Sequence, residues 1–124
     1  MAMLVLPADP AAARAGRRYL EAVCCALKAP VVVDVARVLV SELVTNAVVH
    51  GCSSPRLSVE ARAGDVLFVG VGDDDGRYPV MRDGDEDALG GRGLHLLESL
   101  ASRWGVRPDA PGKVVWFELD GDVA

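Results

Sequence analysis

Between Asp34 and Gly51 the chain reads VARVLVSELVTNAVVH, a segment apolar on nearly every side, with a capping acid before it and a closing glycine after it. A helix of that character has to be buried over most of its surface, which calls for a sheet on one side and further elements around it. Three polar residues, Glu42, Asn46 and His50, interrupt it at intervals of four. That spacing sets them along one stripe of the helix surface. A carboxylate and an amide among Val and Leu are costly unless satisfied, so the stripe faces either water or a bound polar ligand. Oxygens of Asn and Glu are what a hard cation such as Mg²⁺ prefers, with phosphate oxygens and water completing its shell.

The remaining elements follow from periodicity and punctuation. AAARAGRRYLEAVCCAL, introduced by Asp9 and Pro10, predicts a first helix from Pro10 to about Leu27 that stops before Pro30. After a turn at Pro55, LSVEAR over 57–62 alternates apolar and polar residues, and Ala63, Gly64 and Asp65 close a hairpin into VLFVGVGD. The acid- and glycine-rich stretch from Asp73 to Gly91 predicts a long mobile loop of the functional kind. GLHLLESLA over 93–101 predicts a third helix, followed by strands near 103–107 and 113–119 joined at Pro108 to Gly112. Helices first, then antiparallel strands with one helix inserted among them, describe an α+β fold: a two-layer α/β sandwich with a mostly antiparallel sheet covered by helices.

At 124 residues the chain can close one hydrophobic core, so a single domain over 1–124 is expected. Aromatic residues are only 5%, which leaves Val, Leu and Ala to build that core. A net charge of −5 disfavours sequence-independent attraction to a nucleic-acid backbone. Cys24 and Cys25 are neighbours in an odd set of three cysteines, so no disulfide framework is suggested. Without a basic, apolar leader or a membrane-length apolar run, a cytoplasmic protein free of membranes is expected.

Two further segments carry candidate chemistry. In GVGDDDG at 70–76 a strand runs into acids, and a carboxylate at a strand end can accept a hydrogen bond from an exocyclic amine such as that of adenine; a solvated turn is the other reading. In GGRGLHLL at 90–97 glycines lead directly into a helix, whose free N–H groups make a cradle for anionic phosphate with Arg92 as a cation; a hinge without a ligand reads as well. No Lys-Ser or Lys-Thr follows these glycines and no strand leads directly into them, so neither a Walker loop nor a Rossmann fingerprint is present.

The order of the three segments is acid–amide helix, strand ending in Asp, then glycine loop opening a helix. In that order, and above all in SELVTNAVVHG, the chain resembles the GHKL ATP-binding superfamily, whose fold is the Bergerat sandwich. It is most similar to the small bacterial anti-sigma-factor serine/threonine kinases of the partner-switching type, from about Pro7 to Leu119. The resemblance implies ATP and Mg²⁺ as cofactors, with Asn46 ligating the metal and Glu42 as general base. It implies Asp73 on the adenine amino group, Gly76 in the loop behind it, and Gly91, Arg92, Gly93 and Leu94 at the phosphates. His50 would lie near the nucleotide or cap its helix. The implied activity is phosphorylation of a small anti-sigma-factor antagonist; the alternative is a non-catalytic switch that holds nucleotide and sequesters a sigma factor. The resemblance also admits a homodimer. A sensor histidine kinase is disfavoured, since the sequence shows no phosphoacceptor helix pair. Two departures stand out. The first glycine box is matched only at its leading Asp73, and Val114 stands where relatives place a Thr, removing a hydroxyl expected near the base.

Overall fold

The computed structural model describes residues 3–25, 30–51, 54–63, 65–75 and 91–121. Its elements run β1 (Met3–Val5), α1 (Ala12–Cys24), α2 (Pro30–Gly51), β2 (Arg56–Arg62), β3 (Val66–Asp73), α3 (Gly91–Leu100), β4 (Arg103–Asp109) and β5 (Gly112–Asp120). The five strands form one antiparallel sheet in the order β1-β2-β3-β5-β4. This is the expected α+β sandwich, with the helices packed on one face of the sheet.

Alternation along the strands sorts their side chains between the two faces. Leu57 and Val59 of β2, Leu67, Val69 and Val71 of β3, and Val115, Phe117 and Leu119 of β5 are buried on the helix side. They meet Leu39, Val40, Leu43, Val44 and Ala47 of α2 and Leu20 of α1 in one core. Aliphatic residues dominate it as composition suggested, although one ring, Phe117, is the largest fully buried side chain. Each such side chain contributes about 1.5–3 kcal/mol by leaving water. The opposite face carries Phe68 stacked on Trp116 at 6.3 Å between centroids, with the Arg62 guanidinium 4.0 Å above the Phe68 ring.

Several boundaries differ from the sequence expectation. Helix α2 begins at Pro30, four residues before Asp34, because proline suits a first helical turn and Val31 to Val33 continue the apolar pattern. Asp34 is therefore no cap; its carboxylate accepts from Arg37 at 2.9 Å, and Arg37 also bridges to Glu21 of α1. Asp9 accepts from the Ala11 N–H at 2.8 Å, and its carbonyl accepts from the Ala12 N–H, so it forms a turn that delivers the chain into α1 two residues later than expected. The expected last residues of that helix, 26 and 27, lie outside the described residues. Strand β1 was not anticipated: three residues are too few for a periodic signal, and it is defined by pairing Leu4 with Leu57 on β2. The hairpin between β2 and β3 turns as expected, with Asp65 in the left-handed region at φ 61°. No described helix is long and apolar enough to cross a membrane.

Candidate functional site

Helix α2 runs over β3 and β5 with α1 and α3 beside it. The burial of Leu39, Val40, Leu43, Val44 and Ala47 against the sheet fixes its rotation, and that rotation leaves Glu42, Asn46 and His50 half-buried. Asn46 faces the first turn of α3. A methyl group added at Gly93 would stand 2.8 Å from the Asn46 Nδ2 atom, so only glycine admits the amide at this position. Among the described residues nothing hydrogen-bonds that amide, whose oxygen and nitrogen exchange places by a half-turn of the side chain. Glu42 lies one turn earlier on the same stripe, and His50 one turn later, in the last turn of the helix.

Helix α3 starts at Gly91, inside the glycine run and two residues before the expected start at Gly93. Its opening residues Gly91, Arg92, Gly93 and Leu94 carry the N–H groups that no preceding helical turn can accept from, at the positive end of the helix dipole. Gly93 and Leu94 are buried, Leu94 against the core. Gly76 and the segment 76–90, where the long loop was expected, lie outside the described residues.

Asp73 ends β3 on the helix side of the sheet and is only 5% exposed. Its carboxylate is held from two directions. The ammonium of Lys113, directly opposite on β5 and 7% exposed, donates to Oδ1 at 3.0 Å and to Oδ2 at 3.2 Å. The same ammonium donates to the Asp75 carbonyl at 2.8 Å, while the Asp75 N–H returns to Asp73 Oδ1 at 2.9 Å. Behind the carboxylate, Arg56 donates to the Asp73 carbonyl at 3.2 Å and pairs with Asp74 at 3.0 Å. Gly112 completes the enclosure, since a side chain there would overlap the Asp73 carbonyl oxygen.

Lys113 is the residue that sequence reasoning missed. Its signal was present, because the inward register of β5 reads Lys113, Val115, Phe117 and Leu119, and a lysine in an apolar register needs a buried partner. Val114, by contrast, sits opposite Gly72 on the sheet face away from the helices, with Cγ2 close to that glycine and Cγ1 close to Gly70. A hydroxyl at 114 would point away from Asp73, so the expected effect of its loss on the base is not carried by this geometry.

The arrangement therefore offers an amide against a helix start and a fixed carboxylate at a strand end, both on the helix-covered side of the sheet. Among the described residues no group of three or more His, Cys, Asp or Glu gathers to hold an ion. A cation at Asn46 would rely on oxygens brought by a bound phosphate and by water, the mode Mg²⁺ favours, and the unpartnered amide fits it.

A family model, the histidine kinase-like ATPase domain, matches residues 6–119. The chain belongs to this family, an ATP-binding domain of the kinase and ATPase type. Among solved structures it is similar to the blue-light activated histidine kinase of Erythrobacter litoralis EL346, with a TM-score of 0.56 and 27% identity over 74% of this chain. The chain spans 33% of that kinase's length. Curated proteins give no match.

Proposed function

We propose that the chain is an ATP- and Mg²⁺-dependent regulatory kinase that transfers the γ-phosphoryl group to a serine or threonine of a small anti-sigma-factor antagonist. The observation that carries this reading is the Asn46 amide, without a hydrogen-bond partner among the described residues and lodged against Gly93 at the start of α3. Asn46 would hold Mg²⁺ through its amide oxygen, and the ion would neutralise phosphate charge. N–H groups at Gly91 to Leu94 would receive phosphate oxygens, with Arg92 supplying positive charge. Asp73 would accept the adenine amino group. Glu42 would take the proton of the acceptor hydroxyl as that oxygen bonds to phosphorus and the bond from phosphorus to the departing ADP breaks.

The test joins binding to transfer. Calorimetric titration with ATP, with and without Mg²⁺, should show a metal-dependent gain in affinity that Asn46→Ala abolishes. Incubation with radiolabelled ATP and candidate antagonist proteins should label a serine or threonine, and Glu42→Ala should stop the labelling while retaining nucleotide affinity. Tight nucleotide binding with no phosphate moved to any antagonist would refute the kinase and leave the second reading, a nucleotide-holding switch that sequesters a sigma factor. One feature favours that second reading: Asp73 is followed by Asp74 and Asp75 rather than by the glycine spacing of the kinases it resembles.

A further inference from the structure

The lysine facing Asp73 has spent every donor it owns. An ammonium carries three N–H bonds and no acceptor, and Lys113 directs them to Asp73 Oδ1, Asp73 Oδ2 and the Asp75 carbonyl. Nothing remains for a ligand. The carboxylate, in contrast, is used unevenly. Oδ1 accepts from both Lys113 and the Asp75 N–H, whereas among the described residues Oδ2 accepts only the longer contact from Lys113 at 3.2 Å. One oxygen of a nearly buried carboxylate is thus left with capacity for a further donor.

We infer that Lys113 is a positioning residue for nucleobase selection: it fixes the Asp73 carboxylate so that Oδ2 alone is offered, and thereby sets the preference for a base bearing an amino group. This inference rests on the reading that Asp73 meets the base of a bound nucleotide. A donor reaching Oδ2 gains a charge-assisted hydrogen bond in a site shielded from water. An oxo group in the same place would set lone pair against lone pair and be rejected. Without the lysine the carboxylate would be a buried charge lacking its counterion, free to rotate on its side chain and drawn toward Arg56 or solvent. Selectivity, more than general affinity, is what its removal would cost.

The experiment compares the full chain's affinity for ATP with that for purine riboside triphosphate, identical except that hydrogen replaces the 6-amino group. The wild type should prefer ATP by about ten- to a hundredfold, the range for a hydrogen bond to a charged group. In Lys113→Met the preference should shrink to roughly nothing while affinity for the amino-lacking nucleotide holds, and Lys113→Gln, which keeps a donor, should recover part of it. An equal loss for both nucleotides, or an undiminished preference, would overturn the role given to Lys113. Absence of any preference in the wild type would instead overturn the reading of Asp73 itself. Should the variants fail to fold, the wild type answers directly. The chain has two lysines, Lys28 and Lys113, so ¹⁵N-lysine labelling with Lys28→Arg for assignment isolates the ammonium. Its signal should stay hydrogen-bonded and protected as ATP is added; conversion to a freely exchanging lysine would show the nucleotide displacing it and refute the inference.

Discussion

Replacing Gly93 by alanine should separate folding from ligand binding. Two effects on stability oppose one another. Alanine is favoured over glycine inside a helix by about 1 kcal/mol. Against this, the new methyl would lie 2.8 Å from Asn46 Nδ2 and 3.7 Å from Leu43 Cδ2. The leucine contact is ordinary, but the amide must retreat by roughly half an ångström, a movement of the far end of a short side chain that costs on the order of 1 kcal/mol if it leaves its rotamer. The thermal midpoint of Gly93→Ala should consequently stay within a few degrees of the wild type. Mg²⁺-dependent ATP affinity should not. Displacing a metal-binding group by this distance is comparable to removing its supporting partner, about ten- to a hundredfold in affinity. Isothermal titration with ATP and Mg²⁺ measures it, and the variant Asn46→Ala/Gly93→Ala closes a cycle. If the methyl acts through the amide, the double variant loses no more than Asn46→Ala alone. Unchanged metal-dependent affinity in Gly93→Ala, or fully additive losses in the double variant, would refute the argument that Gly93 exists to seat Asn46.

Three further outcomes follow from the geometry. Val114→Thr should leave ATP affinity unchanged by titration, since position 114 faces away from Asp73 beside Gly70 and Gly72. Arg103, through its hydrogen bonds and charge, holds the Asp120 carboxyl below its usual range. A group whose folded-state pKa is depressed contributes stability above its unfolded pKa and loses that contribution as pH falls through the folded value. Asp120→Asn should therefore lower the melting temperature at neutral pH, with the gap to wild type closing as acid is added below the ordinary carboxylate range. Cys24 is buried and its thiol pKa is pushed up, by burial first and by neighbouring Cys25 second, whereas Cys25 is exposed. Alkylation of the native protein followed by mass spectrometry should modify Cys25 well before Cys24, and equal rates would contradict the packing of α1.

Much of the fold was legible because it rests on local periodicity. The alternation in LSVEAR and the apolar wrap of α2 each point to one structure, and the glycines at 90–93 announce a helix start. What escaped was set by distant partners. Strand β1 exists only by pairing with β2, some fifty residues away, and no signal within Met3 to Val5 declares it. The start of α2 was misplaced because Asp34 is as acceptable four residues into a helix, paired with Arg37, as it is at a cap. At the site, the stripe of Glu42, Asn46 and His50 could be derived from spacing, but its contact with Gly93 joins residues 46 and 93, which no local pattern relates. Lys113 was overlooked for the same reason. Its partner is fixed by the register of β3 against β5, and the same register turns Val114, one residue on, to the face away from Asp73.

Such dependence on register makes the short turn between β4 and β5 a control point for the chemistry beside it. Asp109 pairs with Gly112 there, and only residues 110 and 111 lie between. A single residue inserted in that turn and carried along β5 would turn the strand over: the lysine would emerge among arginines on the bare side of the sheet, and Gly112, with no side chain, would stand opposite the carboxylate. Two inserted residues would restore the original sense. The side of the sheet that Lys113 takes is in this way decided by parity, odd or even, in a stretch of chain that touches neither the helix stripe nor the start of α3.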